Sequence, residues 1–172
     1  MSVDAVNAGL LALRLVLGIV FIAHGVKHFI NRQKTINWTA SIGFKSPDIQ
    51  WAFMTFAEIG IGLGLALGLL TSFAAAGLVS MMVVAYWTVH RAAGFWVSAR
   101  PDEGYEYVLV LVVAAFALAI MGPGEWAVDD ALDIATSLDE GVGALIAAGG
   151  LVAAVVQLAT FYRPTSELET GD

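Results

Sequence analysis

The sequence predicts an all-α fold, a polytopic bundle of helices that cross a membrane. Three observations carry this. Charged residues make up 13% of the chain and hydrophobic residues 59%, about half the charge of an ordinary soluble domain. The apolar residues gather in five stretches, each close to the roughly 20 residues that cross a bilayer. The lysines and arginines between those stretches fall in alternate loops, as membrane orientation requires. Too little chain lies outside the stretches for a second globular unit, so all 172 residues read as a single membrane domain.

The first span covers about residues 8–30. The opening MSVDAVNAG has Asp4 and no basic residue where a cleaved signal carries its positive region, and Arg14 falls inside the apolar run; this span is expected to be retained. Residues 31–50 are polar yet contain Ile36, Trp38, Ile42 and Phe44, the mixture of a segment lying at the interface. Pro47 stands where a helix can begin, ahead of the second span at 51–70. There Gly60, Gly64 and Gly68 make one ridge of small residues, and Glu58, Gly62 and Ala66 another. Small residues let membrane helices approach closely, so this helix is expected to be central. The uncharged turn Leu70-Thr71-Ser72 leads to the third span, 73–90. The fourth, 105–121, is the shortest. Gly122-Pro123-Gly124 ends it. Within 123–140, Trp126, Val128, Ala131, Leu132, Ala135 and Leu138 recur at helical spacing with acids between. That pattern predicts a short amphipathic helix on the outer surface. The fifth span, 142–162, carries the small pairs Gly143/Ala147 and Gly149/Ala153. Residues 163–172 read as a mobile tail.

Lys27, Arg32, Lys34 and Lys45 follow the first span, Arg91 and Arg100 the third, and Arg163 the fifth. The loop after the fourth span holds Glu125, Asp129, Asp130, Asp133, Asp139 and Glu140 and no cation. The bias of cations toward the cytoplasm places the N-terminus outside and the C-terminus in the cytoplasm. The net charge of −7 argues against a nucleic-acid partner. The absence of cysteine excludes disulfide exchange and thiolate metal sites in this chain.

Ionisable groups within spans cost about 2.5–3.5 kcal/mol each and are candidates for function. Here they are Arg14, His24, Lys27, His28, Glu58, His90 and Glu106. With the orientation above, Glu58 sits about 10 Å from the inner boundary, and all three histidines and Glu106 also fall in the inner half. His24 and His28 are four apart on one helix face, and Lys27 adjoins it. Met82, Tyr86 and His90 form a stripe on the third span. Plainer roles exist for most of these groups. Lys27 and His28 can snorkel to the boundary. His90 can serve a helix C-terminus and Glu106 an N-terminus. Arg14 can reach outward or pair with Asp4 or Asp129. Glu58 is too deep to reach water easily, so it is paired, protonated or facing a cavity.

The run Arg14, Leu15, Leu17, Gly18, Phe21, His24, Gly25 and Lys27 resembles the opening of the DoxX family of small integral membrane proteins. Further pieces are similar: Gly43, then Glu58 with Gly60 and Gly62, His90, then Gly104, Glu106 and Tyr107, and finally Gly122, Pro123, Gly124, Trp126 and Asp129. The resemblance covers about residues 10–133. It implies a four-helix membrane core, to which this chain adds a fifth, C-terminal transmembrane helix and the acidic segment. It also implies the cell membrane of a prokaryote, and redox chemistry linked to quinones, sulfur compounds and soluble redox partners.

The leading expectation is therefore a quinone-interacting or redox-associated membrane subunit with a polar pocket in the inner half of the bilayer. Glu58, His24 and Glu106 would handle protons. His24, Lys27, Glu58, Tyr86, His90 and Tyr107 would hold the quinone, the suspected cofactor. No haem, flavin or iron–sulfur motif is present, so electrons would come from a soluble redox protein on the cytoplasmic side. Expected partners are thus the lipid bilayer, that protein, and further copies or a larger membrane complex. Two alternatives stay open. One is a non-enzymatic scaffold that recruits soluble redox proteins through the basic segment 31–50. The other is a metal-binding or small transport protein, since three histidines and two glutamates lie on one side; no metal-ligand set is assigned at this stage.

Overall fold

A computed structural model describes residues 2–164, and the expected mobile tail lies, from residue 165 onward, outside the described residues. The order is α1 (Val3–Ile30), α2 (Arg32–Ser41), α3 (Pro47–Leu67), α4 (Thr71–Ala85), α5 (Glu106–Met121), α6 (Val128–Ala131), α7 (Ala135–Leu138) and α8 (Glu140–Phe161). A π-helical turn (Tyr86–His90) and a 3₁₀ turn (Arg91–Ala93) prolong α4. The described residues hold α1, α3, α4 with its extension, and α8 as four helices long and apolar enough to cross a membrane. The fourth expected span is α5, an apolar helix of 16 residues, about 24 Å long at the usual rise. The outward faces suit lipid: Val16, Ile19, Leu145, Val152 and Val155 are all exposed.

Local chemistry sets the ends. Ser2 caps α1 by accepting the Ala5 N–H, with Asp4 in the first turn and Lys27 and His28 in the last, each sign matching the helix dipole. Pro47 begins α3, and Gly68 ends it in the left-handed region at φ 67°, where glycine is the favoured residue. The chain then reverses directly into α4.

Packing follows the small residues. α3 lies against α1 on one side and α4 on another, while α4 contacts α8, α5 and α3. Ala75, Leu78 and Val79 of α4 are fully buried, so α4 shares the centre that the glycine ridges of α3 suggested. The ridge at Gly62 makes the close approach to α1, while on the other ridge Gly64 packs on Ala74 of α4 and Gly60 faces open space. A Cβ at Gly62 would stand 2.6 Å from the Gly18 carbonyl oxygen, and one at Gly25 would stand 2.9 Å from the Thr55 carbonyl oxygen, whereas one at Gly60 meets nothing within 4 Å. On α8 the inward stripe is Gly143, Ala147, Gly150 and Ala154. Gly150 packs on the backbone of Ala76, and Gly149 faces open space.

The bundle has a basic end and an acidic end. At the basic end, Lys45 N–H donates to the Phe161 carbonyl (2.8 Å) and Arg163 N–H to the Gly43 carbonyl (2.8 Å), tying the end of α8 to the loop before α3. All cations except Arg14 belong to this end. At the acidic end, Asn7 and Glu125 clasp each other, Asn7 Nδ2 donating to Glu125 Oε2 (2.8 Å) and Glu125 N–H to Asn7 Oδ1 (3.1 Å). Asp129, fully buried, accepts from Leu70 N–H (2.6 Å), Thr71 N–H (2.8 Å) and the Thr71 hydroxyl (2.8 Å), and so caps α4. Its own N–H donates to the Gly68 carbonyl (2.8 Å).

Segment 123–140 is not the one amphipathic helix that its spacing predicts. It forms two single turns, α6 and α7, separated at Asp133, which sits at φ 56°. The reason is one acid: Asp130, Asp133 and Glu140 are exposed, but Asp129 turns inward to cap α4, and that bends the chain.

Arg14 belongs to the same knot. Its side chain is completely buried, and Nη2 donates to the Trp126 carbonyl (2.6 Å). Gly68 lies directly under the guanidinium, where any Cβ would collide with it. The cation therefore sits at the C-terminal end of α3, where the helix dipole favours positive charge.

Two outcomes follow. Gly62→Ala should destabilise the protein by about 1–3 kcal/mol through overpacking, and Gly60→Ala should be neutral or stabilising, as read by thermal unfolding in detergent. Arg14→Met should cost about 1.5–3 kcal/mol, the range of a hydrogen bond from a charged donor, and should increase proteolysis within 122–140.

Candidate functional site

A cavity of about 680 Å³ opens inside the basic end. Its deep wall is apolar, with Val20 and Phe21 of α1, Met54 of α3, Met81 and Met82 of α4, and Leu111 of α5. Its other wall is polar, with His24, Lys27 and His28 of α1 and Glu58 of α3. α2 forms the roof through Lys34, Thr35, Trp38 and Thr39. Gln50 and Gln157 meet across it, Gln157 Nε2 donating to Gln50 Oε1 (3.2 Å).

The helices position this wall through backbone contact. The approach of α1 and α3 at Gly18–Gly62 continues at Gly25, which lies on Thr55 and Ile59. One turn beyond Gly25 on α1, His28 Nε2 comes to 3.7 Å from Oε2 of Glu58, which lies on α3 between Thr55 and Gly62. The His24 and His28 rings stand 6.3 Å apart between centroids. One ligand atom from each of His24, His28 and Glu58 lies within 4.8 Å of the others.

The hydrogen bonds orient the cluster. The Thr35 hydroxyl donates to the Asn31 carbonyl (3.2 Å), so toward His28 Nδ1, at 3.3 Å, it can only accept. In the tautomer that this arrangement favours, His28 carries its proton on Nδ1 and turns Nε2 to Glu58. Trp51 Nε1 donates to the His28 carbonyl (3.0 Å) and fixes the backbone there. Glu58 is 7% exposed. Its Oε2 has no hydrogen-bond partner among the described residues, nor has the buried Thr55 hydroxyl.

Of the residues singled out in the sequence, His24, Lys27, Glu58, His90 and Tyr107 all line this cavity. His90 Nδ1 lies 2.7 Å from the Glu103 carbonyl. Tyr86 lies elsewhere, on a smaller cavity of about 280 Å³ with Tyr105, whose ring is 5.3 Å away. The π turn explains the separation. It adds one residue to the helical repeat, so the stripe Met82–Tyr86–His90 loses its register and Tyr86 and His90 face different spaces. Glu106 is not on either cavity wall. Its Oε2 accepts the Val97 N–H (3.2 Å), and the neighbouring Gly104 and Tyr105 N–H groups donate to the Trp96 and Gly94 carbonyls (3.0 Å each). This pins the loop before α5.

Sequence reasoning overlooked Thr35, Gln50 and Gln157. Gln157 carried a signal, since it is the one amide within the last apolar stretch. Arg14 sits at the far end from Glu58, on Trp126.

The DoxX family model matches residues 9–91, which run from α1 through the π turn and include His24, His28, Glu58 and His90. An uncharacterized protein of Haemophilus influenzae is 31% identical over 131 residues, covering 72% of this chain and 82% of that protein. No solved structure matches. With its bundle of apolar helices and the opening run from Arg14 to Lys27, the chain belongs to the DoxX family of multi-pass membrane proteins.

Proposed function

We propose that the cavity at the basic end binds a membrane quinone and that the protein is the membrane subunit of a quinone-linked redox system. The observation that carries this reading is the make-up of the cavity: an apolar chamber of about 680 Å³ with one polar wall. Small-molecule sites run from about 300 to 1,000 Å³ and combine apolar linings with a few converging polar groups. A quinone needs that combination. Its ring and tail pack on Phe21, Met54, Met81 and Leu111. Its carbonyl oxygens need donors, which Lys27, His24 and Tyr107 offer.

Reduction of a quinone to a quinol takes two electrons and two protons. The electrons come from a soluble redox partner docked at the basic end. The protons pass through the polar wall, where Glu58 is the buried carboxyl and His24 the group open to the chamber. Both line the same chamber as the roof residues Lys34 and Thr35. Glu106 acts at a distance in this scheme, by holding the loop over α5.

The distribution of cations supports an orientation with this end in the cytoplasm, the N-terminus outside and the C-terminus inside. The quinone then enters from the inner leaflet.

The test is a titration of detergent-purified protein with a fluorescent or absorbing quinone analogue. Wild type should bind saturably. Glu58→Gln and His24→Ala should each weaken binding about tenfold or more, the loss of one hydrogen bond to a charged or buried partner being about 1.5–3 kcal/mol. A monodisperse wild type that binds no analogue overturns the reading.

A further inference from the structure

We infer that His24, His28 and Glu58 form a binding site for a divalent first-row transition ion of the Zn²⁺ or Fe²⁺ kind. The inference stands on geometry at the α1–α3 seam and does not rest on the quinone reading.

Two imidazoles four apart on one helix offer nitrogens on the same face, and a second helix supplies a carboxylate oxygen. The three candidate ligand atoms lie within 4.8 Å of one another, and His28 Nε2 is 3.7 Å from Glu58 Oε2. Around a tetrahedral ion with bonds of about 2.0–2.1 Å, neighbouring ligand atoms stand about 3.3 Å apart. Small side-chain rotations therefore close the set, with no movement of the helices.

The hydrogen bonds point the same way. With the Thr35 hydroxyl donating to the Asn31 carbonyl, His28 bonds it through Nδ1–H and leaves Nε2 to face Glu58 as a lone pair. Two electron-pair donors thus confront each other at the buried edge of the cavity. A shared cation satisfies both, and it also satisfies Glu58 Oε2, which no other described group contacts. A ligating histidine whose second nitrogen is held by a neighbour is the usual arrangement at metal sites. Here the Thr35 hydroxyl holds it, and Asn31 holds Thr35.

Nitrogen and carboxylate donors without sulfur suit Zn²⁺, Fe²⁺ or Mn²⁺ and not Cu⁺. Three protein ligands leave at least one position free, as in catalytic rather than structural sites. That position faces the chamber, where Lys27 stands three residues from His24. One carboxylate leaves the ion with positive charge, so the incoming ligand is an oxygen anion or a polarisable carbonyl oxygen.

The test uses full-length protein freed of any histidine tag and stripped with a chelator. Zn²⁺ is titrated by calorimetry, and Co²⁺ serves as an absorbing probe of the same site. Wild type should bind one ion per chain, and its Co²⁺ form should show the intense visible bands of low coordination number. His24→Ala and Glu58→Gln should lose saturable binding. Thr35→Val keeps all three ligands and should weaken binding about 10–100-fold, the effect of losing a partner behind a ligand. Because that variant retains a buried hydroxyl-sized group, it also guards against loss of folding as the explanation. The inference is overturned if folded wild type binds no stoichiometric Zn²⁺, or if His24→Ala with Glu58→Gln binds as well as wild type. Repeating the quinone-analogue titration with and without Zn²⁺ separates the two readings: ion binding without quinone binding leaves this site standing and removes the other.

Discussion

Everything at the basic end depends on how closely the backbones of α1 and α3 approach. Gly18 lies on Gly62, and Gly25 lies on Thr55 and Ile59. In lipid there is no hydrophobic force between helices, so contact must come from dispersion between surfaces that fit. Side chains at these positions would hold the helices apart by the width of a methyl group or more. His28 and Glu58 would then no longer stand 3.7 Å apart, and the polar wall would lose its continuity. The seam thus turns a row of glycines into chemistry, since it is what brings an imidazole of one helix to a carboxylate of the next.

The acidic end is built on the opposite logic. There Asp129, Glu125 and Arg14 each find a partner, although Nε and Nη1 of Arg14 are buried with none among the described residues. Asp129 is saturated by two backbone N–H groups and a hydroxyl, Arg14 meets the Trp126 carbonyl, and Asn7 and Glu125 bond reciprocally. A buried charge is tolerated when its hydrogen bonds are made. This end fixes the register of α1 against α3 by locking Arg14 over Gly68. The same helix then carries His24 and His28 to the cavity at the other end, with about 15 Å between Arg14 and His24 along the axis. Arg14 therefore acts on the site by setting the depth of α1, although it touches none of the site residues.

Much of this was legible in the sequence, and the limits are instructive. Composition and the five apolar stretches predict a helical membrane bundle, and the opening run predicts the family. Helical spacing puts His24, Lys27 and His28 on one side of α1, and all three line the cavity because α1 is regular there. The stripe through Tyr86 failed because a π turn is a tertiary accommodation, not a pattern of residue types. The amphipathic helix at 123–140 failed for a related reason. The spacing of Trp126, Val128, Leu132 and Leu138 is helical, but Asp129 serves the end of another helix, and a single inward acid outweighs the periodicity. Of the two small-residue ridges on α3, the one with Glu58 and Gly62 meets α1, and counting small residues does not tell which neighbour a ridge has. Thr35 was invisible because its role appears only when α2 folds back over His28.

The two ends together divide the labour of the opening run. Arg14, Leu17 and Gly18 are structural: one anchors, one is buried and one allows contact. Lys27 and His28 lie beyond the tight seam and His24 on its flank, where α1 faces a chamber instead of another helix. Polar groups placed along the seam would have to pay for burial with hydrogen bonds that close-packed glycines do not offer. Placed past it, they face space and remain available to a ligand. The polarity change from Gly25 to Lys27 thus marks the point at which the helix stops holding the fold together and begins to line its cavity. Glu58 is the exception: its backbone is packed at the seam while Oε2 lacks a partner. Of the polar groups on the cavity wall, Glu58 is thus the one whose place is set most directly by the approach of the two backbones.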